Sequence, residues 1–477
     1  MRISEHYKLG RTQPTLDFVD VDISGDTRVF IDPRALRLLP SGWGDECVSL
    51  IQSFFRTVLT AIHESKHTEA RRLLRVLREP NETHLGLSKG RSKGRGLGKE
   101  SARDLWKALS GSEAVKSGLL EDLEDTILMV EGISSDIISD ITTNIIRKPL
   151  IEYTQNMSSY YGIPLISDVT SGALWNPVRK EWYSEYAQLP LTRAGRLLLV
   201  PKVIVRARMD YDVEEYYRHY ILEHLQESEL AANTELVQLL KNGGRRVTKK
   251  DLEEKYGKGK SVVVELTRKH PEILDSYRSD KRGNYQPPLN HFELASSDGT
   301  SPPNWGELLR EVTDVPRGRE YFSKYEKVIE GLLTALFYPS LSNPQVQVEI
   351  HEGRKRIDIT YTNVATSGFF FWLGKHYSAP HVFVECKNYV GDVGNPELDQ
   401  LAGRFSPSRG QFGLLVCREF SDKDLFIKRC VDTAKDNRGF IIPIDDSDLT
   451  QIGKERKKEF SEPQFISLKE RFDNLIM

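Results

Sequence analysis

The sequence predicts an α/β protein, and three observations predict it. After residue 300, segments with helical apolar spacing alternate with short runs of strand-like alternation. Hydrophobic residues at 39% and charged residues at 29% fit a globular chain with real cores and exclude a disordered one. The stretch Ser296–Asn304 (SSDGTSPPN) lacks apolar periodicity and separates that rhythmic part from a less regular one. A chain of 477 residues has room for about three domains.

The elements beyond that boundary follow in order. Arg319–Phe337 carries apolar residues at helical spacing, with Pro339 just beyond as a stop. Gln345–Ile350 and Arg356–Tyr361 alternate as strands, joined at Glu352-Gly353 as a hairpin. His381–Lys387 is a short buried strand and Glu397–Phe405 a short helix. Phe412–Cys417 is a strand, Asp422–Lys435 a helix and Gly439–Ile444 a strand. The order α-β-β-β-α-β-α-β describes a sheet with flanking helices.

The first 300 residues read as mostly helical α+β. Leu16–Asp32 looks like two strands. Cys47–His67, Glu69–Leu77, Lys99–Ser110 and Leu119–Ile146 look helical. An apolar strand is expected at Arg196–Val205 and a long helix at Val213–Gln226. Composition shifts divide the chain into 1–165, a basic and mostly helical 166–300, a linker at 301–318, and 319–477.

Several classes are excluded early. Lys and Arg number 67 against 69 Asp and Glu, so any nucleic-acid surface must be a local patch. The four cysteines form no CxxC pair, which argues against a disulfide framework and a thiolate zinc site. The N-terminal MRISEHYKLGRTQ has no apolar signal segment, and no stretch reaches the roughly 20 apolar residues of a membrane helix. The expectation is a soluble, reduced, cytoplasmic protein without a membrane partner.

Chemistry concentrates in HVFVECK. Strand alternation puts Glu385 and Lys387 on one face and Cys386 on the other. Asp358 lies on a strand that is a candidate sheet neighbour. Hard carboxylate oxygens facing a lysine suit a divalent cation such as Mg²⁺, and the lysine can orient or deprotonate a water. Charges in so apolar a strand are costly unless a metal or mutual pairing compensates. A surface strand with an ordinary Glu–Lys pair is the bland alternative.

With Asp358, Glu385 and Lys387 in this order of elements, the stretch from about 319 to 450 resembles the PD-(D/E)XK nucleases, the restriction-endonuclease-like superfamily with an αβββαβ core. The resemblance implies Asp358 and Glu385 as metal carboxylates, the Cys386 carbonyl as a third ligand, and Lys387 as the catalytic lysine. It further implies a glutamate from the leading helix, Glu326 before Glu330, and a glutamine on the following helix, Gln400. Mg²⁺ is the implied cofactor, with Mn²⁺ able to substitute. Ile357 stands where the family has proline, and Thr362–Pro380 is longer than a minimal core needs. The layout also resembles bacterial restriction and anti-phage defence effectors. A homo-oligomer or a defence-system partner protein fits such a layout.

Other segments hold weaker signals. Lys89–Lys107 carries seven basic residues against two acidic ones, with Gly94, Gly96 and Gly98 before a helix start. Arg91, Lys93, Arg95 and Lys99 are its candidate phosphate ligands, and a surface loop is the alternative. Lys241–Lys260 carries eight basic residues against three acidic; Arg245, Arg246, Lys249 and Lys250 are candidates for tracking a nucleic-acid backbone, and a solvated face is equally open. His63–His67 matches H-E-x-x-H, but Lys66 intrudes beside any Zn²⁺ and a solvated helix end is the better reading. Gly86–Gly90 matches G-x-S-x-G without the helix that a nucleophile elbow requires. Val130–Ile138 loosely resembles a helix-hairpin-helix, against ordinary helix packing, and Phe369–Trp372 is either a base-stacking wedge or buried core.

The sequence therefore points to a Mg²⁺-dependent endonuclease acting on nucleic acid, DNA before RNA. Residues 1–300 would supply recognition or regulation. Two alternatives stay open: an inactive nuclease fold serving as a nucleic-acid scaffold, and a nuclease switched on by a nucleotide signal bound in the N-terminal region.

Overall fold

A computed structural model describes residues 1–86, 99–284, 286–389, 393–458 and 463–477, and for 99–104 the backbone alone. The protein is mixed α/β, and its largest sheet lies in the C-terminal part. Helix α1 (Phe322–Phe337) leads into β1 (Leu341–Ile350) and β2 (Lys355–Asn363). A helix, α2 (Gly368–His376), precedes β3 (His381–Lys387). Then come α3 (Asn395–Ala402), β4 (Phe412–Cys417), α4 (Lys423–Lys435) and β5 (Phe440–Ile444). Two helices close the chain, α5 (Asp446–Lys458) and α6 (Ile466–Ile476).

The five strands lie in sequence order. β1, β2 and β3 are antiparallel neighbours, and β4 and β5 run parallel to β3. The change of direction follows from the connections: a hairpin with left-handed backbone at Gly353 joins β1 to β2, whereas α3 and α4 carry the crossovers. β4 (FGLLVC) is buried along its whole length, as a central parallel strand covered on both faces must be. Phe369 and Phe370 of α2 are buried in this core, and Trp372 packs edge-on against Phe472 of α6. The FFFW run is therefore core and inter-helix packing rather than a wedge.

A second apolar cluster draws mainly on Ile3 to Leu294, with Tyr338 and Val364 added from the C-terminal part, and is built mostly from helices, including Gly42–His63, Arg147–Tyr161 and Pro271–Gly283. Several expected elements differ here. Leu16–Asp32 is mostly irregular, with only Phe30–Ile31 pairing as a strand. Arg196–Val205 is not one strand: its ends fall in separate two-residue strands, Gly195–Arg196 and Val205–Arg206. Pro201 between them has no N–H to offer a ladder, and the middle runs as buried irregular chain with a 3₁₀ turn at Lys202–Ile204. Leu119–Ile146 breaks into Asp125–Met129 and Ser135–Ile145. The turn between them is anchored by Val130 and Ile133, which are buried and whose carbonyls accept from Lys260 Nζ at 2.9 Å, while Glu131, Gly132 and Ser134 are exposed. His63 ends one helix and His67 begins the next, so the two do not share a helical face; Lys66 instead pairs with Glu64 at 2.6 Å. The G-x-S-x-G stretch beyond Gly86 and the candidates Arg91, Lys93 and Arg95 lie outside the described residues. Lys99 opens the helix Lys99–Gly111.

The N-terminal cluster and the sheet meet along a polar seam. Asp17 is buried and accepts from Tyr153 Oη at 2.7 Å, Ser342 Oγ at 3.0 Å and the Asn343 amide at 2.9 Å. Lys202, also buried, lies 4.3 Å from the Tyr338 ring centroid and donates to the Gln13 carbonyl at 3.3 Å. Arg11 pairs with Glu330 of α1. Among the described residues no helix is long and apolar enough to cross a membrane. All four cysteines are buried and free.

Candidate metal centre

The antiparallel register Ile359↔Val384 places Asp358 opposite Glu385 one step further along. The β2–β3 ladder stops at that step, and the Cys386 amide donates to Asp358 Oδ2 at 2.9 Å instead of to backbone. Amide and carbonyl of a strand residue leave on the same side, so the Cys386 carbonyl faces the same opening. The Cys386 thiol lies on the opposite face, fully buried, and burial pushes its pKa far up.

Glu385 has no exposed surface, Lys387 is 6% exposed and Asp358 8%. Lys387 Nζ donates to Glu385 Oε1 at 2.8 Å and to Gln400 Oε1 at 3.3 Å. Gln400 Nε2 closes this triangle on the same Glu385 oxygen. From α1, Glu326 reaches the site, and both its oxygens accept from Gln347 Nε2 at 3.0 Å. All five candidates on the sheet and its helices thus converge. Glu330 does not join them, because Arg11 and Thr334 Oγ1 occupy its oxygens.

The charge arrangement fits a dication. Glu385 Oε2 is buried without a hydrogen-bond partner, so one carboxylate oxygen has nothing to accept from. Burial first, and Asp358 second, push Glu385 up to about 7. Burial, then Asp358 and Glu385, push Glu326 up to about 7 against the opposing Gln347 bonds. Asp358 is raised by burial as well. Lys387, with a smaller contribution from Arg404, does not balance three crowded carboxylates. Oxygen donors of this kind suit Mg²⁺ or Mn²⁺.

A pH dependence follows. These carboxyls ionise higher in the folded than in the unfolded chain, so the folded state holds more protons between about pH 4.5 and about 7. Their ionisation therefore costs stability as pH rises through that window, and a bound dication relieves the cost. Mg²⁺ is expected to raise the melting temperature more at about pH 8 than at about pH 5.5. Equal stabilisation at both, read by a thermal melt, would contradict this electrostatic account.

Three residues missed in the sequence complete the surroundings. Gln347 has left-handed backbone, φ 51°, inside β1. Arg356 Nη1 donates to Gln347 Oε1 at 3.3 Å, and Arg404 Nε donates to the Arg356 carbonyl at 2.6 Å. The alternation QVQVEI already put Gln347 on the polar face of its strand, but its strained backbone gave no signal. A cleft of about 640 Å³ opens beside Glu326, Gln347 and Arg356, and its other wall is N-terminal, with Arg11, Tyr160 and Tyr161.

The second basic segment is elsewhere and is partly self-paired. Lys249 Nζ pairs with Glu223 at 2.9 Å and Lys250 with Glu254 at 3.7 Å. Arg245 and Arg246 form one strand of a short two-stranded ribbon and are exposed.

Residues 8–212 match a family described as a domain of unknown function (DUF8370). The matched stretch holds the N-terminal wall of the cleft and ends before the sheet. No curated protein and no solved structure matches the chain.

Proposed function

We propose that the protein is a metal-dependent nuclease of the PD-(D/E)XK type that hydrolyses phosphodiester bonds, in DNA before RNA. The observation that carries this reading is the buried Glu385 carboxylate on the strand position opposite Asp358, one of its oxygens without a hydrogen-bond partner and Lys387 fixed on the other. Asp358, Glu385 and the Cys386 carbonyl would hold Mg²⁺, which supplies the charge that polarises a scissile phosphate and acidifies a water.

The chain's own residues do the rest. Glu385 and Gln400 hold the Lys387 ammonium in place. Burial alone would lower the Lys387 pKa, but the neighbouring Glu385 carries it above its ordinary value. Lys387 is thus a cation at neutral pH, suited to orienting a nucleophilic water and offsetting charge that develops on the phosphate, not to removing a proton. Gln347 holds Glu326 and Arg356 holds Gln347, so the α1 carboxylate is kept at the rim for a water-mediated role.

Incubating the protein with plasmid, linear and single-stranded DNA and with RNA, in Mg²⁺, Mn²⁺ or EDTA, tests the reading. Cleavage that EDTA stops is expected; no cleavage of any substrate in either metal counts against it. Glu326→Gln is expected to slow cleavage about 10- to 100-fold, the scale of an outer-shell loss, with Asp358→Asn costing more. Equal losses in single-turnover rate would make Glu326 a direct ligand.

The recognition half of the proposal has its own test. Changing Arg245 and Arg246 to Glu should flatten the salt dependence of binding by about 0.9 for each duplex phosphate no longer held, on every sequence alike. Adding Lys249→Glu should change little more, since Glu223 already holds that lysine. An unchanged slope in both, from titrations at several salt concentrations, would make this ribbon solvated surface.

A further inference from the structure

A second cluster of metal-ligating side chains lies outside the carboxylate centre. His224 sits on the helix Leu222–Ala232, directly after a π-helical turn at Tyr217–Ile221. His270 stands at the junction between the helices Lys260–Lys269 and Pro271–Gly283, and Glu272 is in the first turn of the latter. Glu272 Oε1 lies 3.2 Å from His270 Nδ1 and 3.8 Å from His224 Nε2, and one donor atom from each of the three residues falls within 4.8 Å of the other two. Tetrahedral donors about 2.0–2.1 Å from a common ion stand roughly 3.3 Å apart, so small rotamer changes suffice to enclose one.

The ligands are held by a rigid base. Leu222 and Leu225 below His224, and Ile273 and Leu274 below the other pair, are buried in the N-terminal core. The π-helical turn shifts the helix register just before His224, a device that re-aims side chains and recurs at functional sites. Pro271 fixes the backbone between His270 and Glu272. The two imidazoles sit with ring centroids 4.6 Å apart and are 30% and 37% exposed, open enough for an ion to enter.

We propose that His224, His270 and Glu272 form a binding site for a borderline transition-metal ion of the Zn²⁺ class. Imidazole donors favour Zn²⁺, Co²⁺ or Ni²⁺ over Mg²⁺, which separates this site chemically from the all-oxygen one. Three protein ligands leave a position for water. The ion would join the two ends of the segment 225–269, which contains the short ribbon with Arg245 and Arg246, and so hold that arm in register with the helices beneath it.

The test uses the full chain in excess Mg²⁺, so that the carboxylate centre does not compete. Zn²⁺ is titrated against a chelating dye, and Co²⁺ binding is followed by its visible absorption. The wild type is expected to bind one Zn²⁺ with a rise in melting temperature. His224→Ala and His270→Ala are expected to lose that ion and that rise, and Glu272→Gln to bind at least about tenfold more weakly. Each variant's far-ultraviolet circular dichroism checks folding; should an alanine variant fail to fold, Glu272→Gln decides. A wild type that binds no Zn²⁺, or variants that bind it as tightly as wild type, would overturn the proposal. Cleavage activity enters neither outcome, so the nuclease reading stands or falls separately.

Discussion

Lys387→Ala and Glu385→Ala are each expected to abolish cleavage, with losses on the order of 10³-fold or more in single-turnover rate, the upper range for removing one preorganised electrostatic group. Their folded states should respond differently. Glu385→Ala removes a fully buried carboxyl that ionises only at about 7 but also takes the partner of the buried Lys387, so the two effects offset and its melting temperature should change little above neutral pH. Lys387→Ala leaves Glu385 buried without its cation, so its melting temperature should fall, and fall more as pH rises. Both variants should elute and scatter as the wild type does. Retention of wild-type cleavage by either one would remove the proposed activity.

Asp17→Ala should produce the largest loss of stability. The carboxylate gathers Tyr153, Ser342 and the Asn343 amide, and its charge faces Lys202, whose pKa burial lowers to about 7. Removing it orphans three buried donors at once, and Lys202, no longer favoured in its charged form by that carboxylate, sheds its proton more readily. The expected cost is about 3–5 kcal/mol, at about 1–3 kcal/mol for each buried donor left without a partner. Asp17→Asn keeps an acceptor and should cost less. Urea melts of the two variants check this order, and a cost below about 1 kcal/mol for alanine would show that the seam carries little of the fold's stability.

The sheet was legible in the sequence because its strands alternate cleanly or are wholly apolar, and because Glu385 and Lys387 are conspicuous in such a strand. The convergence of Asp358, Glu385, Lys387, Glu326 and Gln400 followed from register and helix placement. Other features lie beyond periodicity. Gln347 is aimed by a left-handed backbone that glutamine seldom adopts. Leu197–Val205 is so uniformly buried that its apolar run has no period to read, and its backbone bonds go to scattered partners such as Glu82 and Asp17. Arg11 stands 319 residues from its partner Glu330, a separation no local pattern spans. His63–His67 shows the converse, a motif whose spacing is right and whose helix ends inside it.

The Arg11–Glu330 pair has a consequence for how this chain could be cut or recombined. Glu330 is one helical turn from Glu326 on α1, and it is 1% exposed. A fragment starting at 319 would keep both glutamates but lose the arginine, and with it the acceptor that Asp17 offers to β1. Glu330 and the Asn343 amide would lose these partners, and the face of α1 and β1 that Arg11, Asp17, Tyr160 and Tyr161 cover would open to water. Its first turn of damage would fall on the helix that presents Glu326. The sheet is therefore not a transplantable cassette: exchanging the first 300 residues for another module requires the newcomer to bring its own guanidinium to the same spot.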